Sequence, residues 1–173
     1  MGVVASNYII NDEIIDKLIK TDFDFCSYFE KISMQHEYKN SYFEKCGILY
    51  GAMVKAWSPM YELLKLLDSS ENKILNKIGN NTNYISEKGK NDSMYFFYSS
   101  EVKEIWKELK NISIGMIEKS LNDPNIIEKV SEIEGYWNER IESKEHIIME
   151  FHEFYSAFYQ AKLINKGIVI TLG

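Results

Sequence analysis

Two short apolar runs, one near each end of the chain, restrict the possible folds more than any other pattern. Val3, Val4, Tyr8, Ile9 and Ile10 form the first, and Ile168, Val169, Ile170, Thr171 and Leu172, after Gly167, form the second. β-Branched and aromatic residues in runs this short read as strands. The first is expected from Gly2 to Ile10 and the second from Gly167 to Leu172. A third run, Met94 to Tyr98, lies inside the chain. Helical patterns separate the three, so the expected architecture is α+β: several amphipathic helices around a small sheet built from both termini and one internal strand. At 173 residues the chain is expected to form one domain, spanning 1–173. A domain of that size buries roughly two-thirds of its unfolded surface and needs neither disulfide nor metal to hold its core.

The helical segments carry start and stop signals. Asn11 can cap a helix whose first turn holds Asp12 and Glu13 and whose stripe is Ile14, Ile15, Leu18 and Ile19. Phe25, Phe29 and Ile32 suggest a second helix. Tyr42, Cys46, Leu49, Tyr50, Met53 and Trp57 recur at three and four residues and predict a core helix, in which Gly47 and Gly51 admit a close neighbour. Ser58-Pro59 restarts a helix with Met60, Leu63, Leu64 and Leu67 inward. Gly79 to Ser93 is polar and reads as a long surface loop. Ser99 or Ser100 caps a helix burying Val102, Ile105, Trp106 and Leu109, and Asp123-Pro124 opens a short one through Ile126, Ile127 and Val130. The last and longest helix is expected from Ser143 to Asn165, with Gly167 placed to end it.

Charge narrows the functional classes. Twenty basic against 26 acidic residues give a net charge of -6, which opposes attraction to nucleic acid or anionic lipid. Arg140 is the only arginine, so bidentate recognition of phosphate by an arginine cluster is closed off. Between Glu128 and Glu153 eight acids face three cations, an acidic stretch that includes Glu139, Glu142 and Glu145. No apolar stretch is long enough to span a bilayer and the N-terminus lacks a secretory pattern, so a cytoplasmic protein is expected. Met1 to Ser6 fits an N-myristoylation pattern, but the same residues fall within the expected first strand. Cys26 and Cys46 are too few for a disulfide framework.

Chemical motifs are sparse. The sequence holds no glycine-rich phosphate loop, no C-x-x-C pair and no G-x-S-x-G elbow, so no cofactor is expected. His146, Glu150 and Glu153 share one helix face and have the residue types of a metal site. They fall apart from the apolar stripe, however, which directs them to water, and no metal is assigned. His152 sits at the edge of the buried face as a hydrogen-bonded structural histidine. Cys46 has no local group to lower its pKa and reads as an inert buried thiol. What stands out is the ring content, 12 tyrosines, nine phenylalanines and three tryptophans. Tyrosine buries a ring and keeps a hydroxyl wet, the combination favoured at clefts and interfaces.

Met1-Gly2 opening a strand, Glu101-Val102-Lys103-Glu104-Ile105, Asp123-Pro124, Gly135-Tyr136-Trp137 and Tyr155-Ser156-Ala157-Phe158-Tyr159 occur in this order. In that order the chain resembles the YfbM-like family of small bacterial proteins, which carry a domain of unknown function. The resemblance covers nearly the whole chain and is best from Tyr98 onward. It implies a single α+β domain of bacterial or phage origin and transfers no catalytic residue. Where family members often show a serine-tryptophan pair and then a histidine, this chain has Ser41-Tyr42 and Cys46. Where they often carry a glycine-proline-alanine-arginine loop, it has Asp92-Ser93-Met94-Tyr95.

These features together favour a non-catalytic binding protein. Its ligand would lie in an aromatic-lined cleft formed by Tyr42, Cys46, Tyr50, Tyr95, Trp137, His152 and Tyr155. A basic protein partner would instead use the acidic face at Glu139, Glu142 and Glu145. The ligand class is a small aromatic molecule or nucleotide. Two alternatives stay open: an enzyme acting on such a small molecule, and a sink that sequesters a signalling molecule between rings.

Overall fold

The computed structural model describes residues 5–20, 48–53, 57–78, 84–86, 93–131 and 142–172. In chain order these form β1 (Ala5–Ile10), α1 (Asp12–Lys20), β2 (Ile48–Met53), α2 (Trp57–Leu67), a 3-10 turn (Ile74–Lys77), β3 (Tyr84–Ser86), β4 (Ser93–Phe97), α3 (Ser99–Leu109), α4 (Ile114–Ser120), α5 (Pro124–Ser131), α6 (Glu142–Leu163) and β5 (Gly167–Leu172). The strands make one five-stranded antiparallel sheet in the order β2-β1-β5-β4-β3. The three strands legible in the sequence are the middle three, and the two end runs pair directly, from Ala5 opposite Leu172 to Ile10 opposite Gly167. The fold class is α+β as expected, with β2 and β3 added at the two sides.

Alternation along the strands assigns the faces. Ala5, Asn7 and Ile9 share one face with Ile168 and Ile170 of β5 and with Tyr95 and Phe97 of β4. On this face Ala5, Ile9, Phe97, Ile168 and Ile170 join a buried cluster with Met60, Leu63 and Leu64 of α2, Val102 and Ile105 of α3, and Phe151, Phe154 and Phe158 of α6. Each such side chain contributes about 1.5–3 kcal/mol by leaving water. Tyr8, Ile10 and Val169 lie on the other face and are also buried. Burial on both faces explains why the central strands read as continuous apolar runs.

Several local expectations are corrected. The helix read from Tyr42 to Trp57 is, where described, strand β2, followed at Trp57 by α2. Leu49, Tyr50 and Met53 fit helical spacing by coincidence, and Gly51 inside a helix would cost about 1 kcal/mol, whereas a strand irregularity accepts it. The loop read from Gly79 to Ser93 contains β3, three residues paired with β4 and too short to show a period. Helix α4 was not expected; the Ser113 hydroxyl caps it by accepting from the Met116 N–H at 3.2 Å. The helix with Phe25, Phe29 and Ile32 lies outside the described residues.

The end of α6 also differs from expectation. Asn165 takes the left-handed conformation, φ 56°. Lys166 donates its N–H to the Ala161 carbonyl at 2.9 Å, the bond of a Schellman C-cap. Gly167 is therefore not the cap but the first residue of β5, and its need is for space. A Cβ there would stand 2.7 Å from the Phe97 carbonyl oxygen, 2.5 Å from Ile15 Cδ1 and 2.9 Å from Asp12 Oδ1.

Around that glycine a polar joint ties α1 to the β4–α3 corner. Asp12 Oδ1 accepts the Ser99 N–H at 2.8 Å and Oδ2 accepts the Ser99 hydroxyl at 2.6 Å. Ser99 is thus engaged across the fold rather than capping α3, and Tyr98 occupies the N-cap position. The Tyr98 N–H donates to Glu101 Oε2 at 3.0 Å, and its hydroxyl donates to Asp16 Oδ1 at 2.8 Å. Burial, the bond to Asp16 and the nearby carboxylates push the Tyr98 hydroxyl pKa up to about 12.

Candidate functional site

The pairing of β1 with β2 slips at one point. Ser6 faces Ala52 and Tyr8 faces Leu49, so Tyr50 and Gly51 together oppose Asn7. This is a β-bulge, a device that locally bends a strand and re-aims side chains. On its other side Asn7 faces Ile170, which in turn faces Tyr95, and Tyr95 faces Tyr84. Asn7 and Tyr95 therefore stand in one row across the helix-covered face.

Asn7 is 0% exposed, and neither Oδ1 nor Nδ2 has a hydrogen-bond partner among the described residues. An asparagine amide offers two donors and an acceptor oxygen. Leaving such a group dry and unbonded costs about 1–3 kcal/mol, so buried amides in native proteins are nearly always satisfied by protein, water or ligand.

Helices bring further polar groups to this layer. Tyr61 of α2 is 2% exposed and meets Phe154 edge-on, ring centroids 5.4 Å apart. Glu150 of α6 is 3% exposed. Burial, then the charges of Tyr95 and Glu150, push the Tyr61 hydroxyl pKa well above the ordinary phenol value. Tyr61 is thus near enough to feel both Tyr95 and Glu150, and its phenol stays protonated as a donor.

The residues singled out in the sequence divide. Tyr95 lies in the row just described, half-buried, and Tyr50 lies in the bulge opposite Asn7. Tyr155 belongs elsewhere: it meets Trp106 of α3 edge-on at 4.8 Å and Phe151 at 5.6 Å. His152 is exposed, not at the border of the core, because Phe151 and Phe154 take the inward directions around it. Of the trio His146, Glu150 and Glu153, His146 is exposed and Glu153 half-buried; Glu150 is buried, contrary to the expectation that all three face water. Glu145 is exposed on α6, and Glu142 opens that helix. Tyr42, Cys46, Trp137 and Glu139 lie outside the described residues.

Sequence reading missed Asn7, Tyr61 and Glu150. The available signals were a lone amide inside an apolar strand and an acid at a helical position between Ile147 and Phe154. Among the described residues no three His, Cys, Asp or Glu side chains group as a metal ion would require. No described helix is long and apolar enough to cross a membrane.

No family model matches the sequence, and no curated protein matches it. By structure the chain is similar to YfbM from Escherichia coli, a protein of unknown function. The two are 12% identical with a TM-score of 0.60, and the match covers 98% of this chain and 99% of that one. The chain has a YfbM-like fold.

Proposed function

We propose that the chain is a non-catalytic binding protein that holds a small polar ligand on the helix-covered face of its sheet, between the β2 bulge and Tyr95. The observation that carries this reading is the Asn7 amide, 0% exposed and with neither polar atom bonded among the described residues. An apolar residue of similar size would make the central strand more stable, so the amide is there for what it contacts. The groups around it suit holding rather than reacting. An amide does not titrate, and the Tyr61 phenol, its pKa raised by burial, keeps its proton near neutral pH, so both supply hydrogen bonds rather than proton transfer.

A thermal-shift screen of polar metabolites tests the proposal, because a ligand of the folded state raises the melting temperature by mass action. A hit is expected to stabilise the wild-type protein and to have no effect on Asn7→Leu. The variant itself should melt higher than wild type in the absence of ligand. An equal response in both proteins overturns the assignment of the site. Conversion of the bound compound on long incubation would replace the binding reading with that of a small-molecule enzyme.

A further inference from the structure

We propose that the exposed seam where α3 packs on α6 is a docking surface for an acidic peptide segment of a partner protein, with lysines holding its carboxylates and aromatic rings holding an apolar side chain. Trp106 of α3 meets Tyr155 of α6 edge-on at 4.8 Å and Tyr159 at 5.4 Å, measured between ring centroids. Trp106 and Tyr155 are half-buried, and Tyr159 is 42% exposed. Leu163, one turn further along α6 on the same face as Tyr159, is 58% exposed. Tyrosine and tryptophan set at a surface in this way are the residues in which interface cores are enriched.

Charge identifies the occupant. Helical spacing puts Lys103, Lys107 and the C-cap Lys110 on the Trp106 flank of α3, and Glu101, Glu104 and Glu108 on the other. The acidic flank is used within the fold: Glu101 accepts the Tyr98 N–H, and Glu104 pairs with Lys77 at 3.2 Å. The basic flank is not. Lys103, Lys107 and Lys110 are exposed, as is Lys162 one turn beyond Tyr159, and among the described residues no carboxylate pairs with any of them. Cations suit the C-terminal end of a helix, which accounts for Lys107 and Lys110 but not for Lys103. Lys103 and Lys107 also stand at i and i+4, a like-charge spacing that works against the helix. On α6, Glu153 is two residues from Tyr155 and does not share its face. Carboxylates of a partner therefore meet unpaired lysines bordering the rings, the complementarity that steers and fixes such contacts. Nucleic acid fits less well, because lysine lacks the planar fork that grips phosphate and the net charge of -6 opposes a long polyanion.

Selection of a random peptide display library on the full chain tests the proposal, followed by fluorescence-anisotropy titration of the leading sequence as a synthetic peptide. Enriched sequences are expected to combine aspartate and glutamate with at least one aromatic or leucine side chain, and the synthetic peptide to bind more weakly as salt rises. The double substitution Lys103→Glu, Lys107→Glu, made at exposed positions, should weaken that peptide about tenfold or more. Glu108→Lys, on the opposite flank of the same helix, should leave its affinity unchanged. The library composition and the salt dependence need no variant. Failure of acidic sequences to enrich, or equal binding by the double variant and wild type, overturns the proposal. Tighter binding of an oligothymidylate strand than of the peptide, lost in the same double variant, overturns it too and puts nucleic acid in the partner's place.

Discussion

The molecule contains two polar clusters built on opposite principles. At the α1–α3 joint every group is spoken for: both oxygens of Asp12 accept from Ser99, Asp16 accepts from Tyr98, and Glu101 accepts the Tyr98 N–H. That cluster is half-buried and its bonds fasten elements distant in sequence. In the helix-covered layer, by contrast, the Asn7 amide is sealed from water with no bond among the described residues. The first cluster is architecture, since removing it would loosen the fold. The second imposes a cost on the fold, and that difference in sign is what the proposed binding role of Asn7 rests on.

Substitutions can break this contrast, and the largest effect is expected at the joint. Asp12→Ala removes two bonds to a charged acceptor and should lower stability by about 2–4 kcal/mol in denaturant titrations. A loss below about 0.5 kcal/mol would mean the joint is ornamental. Gly167→Ala drives a methyl into the Phe97 carbonyl and Ile15, and overpacking of this kind should lower stability by about 1–3 kcal/mol. Asn7→Leu is expected to act in the opposite direction, raising stability by about 1–2 kcal/mol by removing a dry amide. Destabilisation there would place Asn7 with the architectural group.

The smallest effect comes from Tyr98→Phe, about 1 kcal/mol near neutral pH for one hydrogen bond, and its pH dependence is the sharper measurement. Because the hydroxyl pKa rises from 10.0 to about 12 on folding, the folded state keeps the proton longer than the unfolded chain. The stability Tyr98 contributes is therefore complete below pH 10 and drains away as the pH rises toward 12. The gap in melting temperature between wild type and Tyr98→Phe should shrink over that window. A gap constant through it would remove the Asp16 bond from the account.

Burial on both faces made the central strands legible, since Ile9, Ile10, Val169 and Ile170 are apolar without interruption. Helices α1, α3 and α6 were legible because their stripes repeat over several turns. The two outer strands were not. β3 has three residues, and β2 holds Gly51 at a bulge that breaks the two-residue period. The site was hidden for a different reason. Periodicity treats every polar residue as outward-facing, so it assigned Glu150 to water. Asn7, read as an ordinary member of an apolar run, attracted no notice. Tyr95 was singled out because aromatic residues attract attention whatever their role, and Tyr155 was grouped with it although its contacts are with Trp106 and Phe151.

The adjacency of β1 and β5 at the middle of the sheet sets the timetable of biosynthesis. β1 waits, with one hydrogen-bonding edge open, for β5, made more than 150 residues later. The sheet cannot close while the ribosome is still reading the intervening message, so folding is dominated by distant contacts, the slow regime for small domains. A nascent chain stalled before Gly167 exposes the edge of Ile9 and Ile10 to any other extended polypeptide, which makes chaperone capture of unfinished chains a consequence of the topology itself.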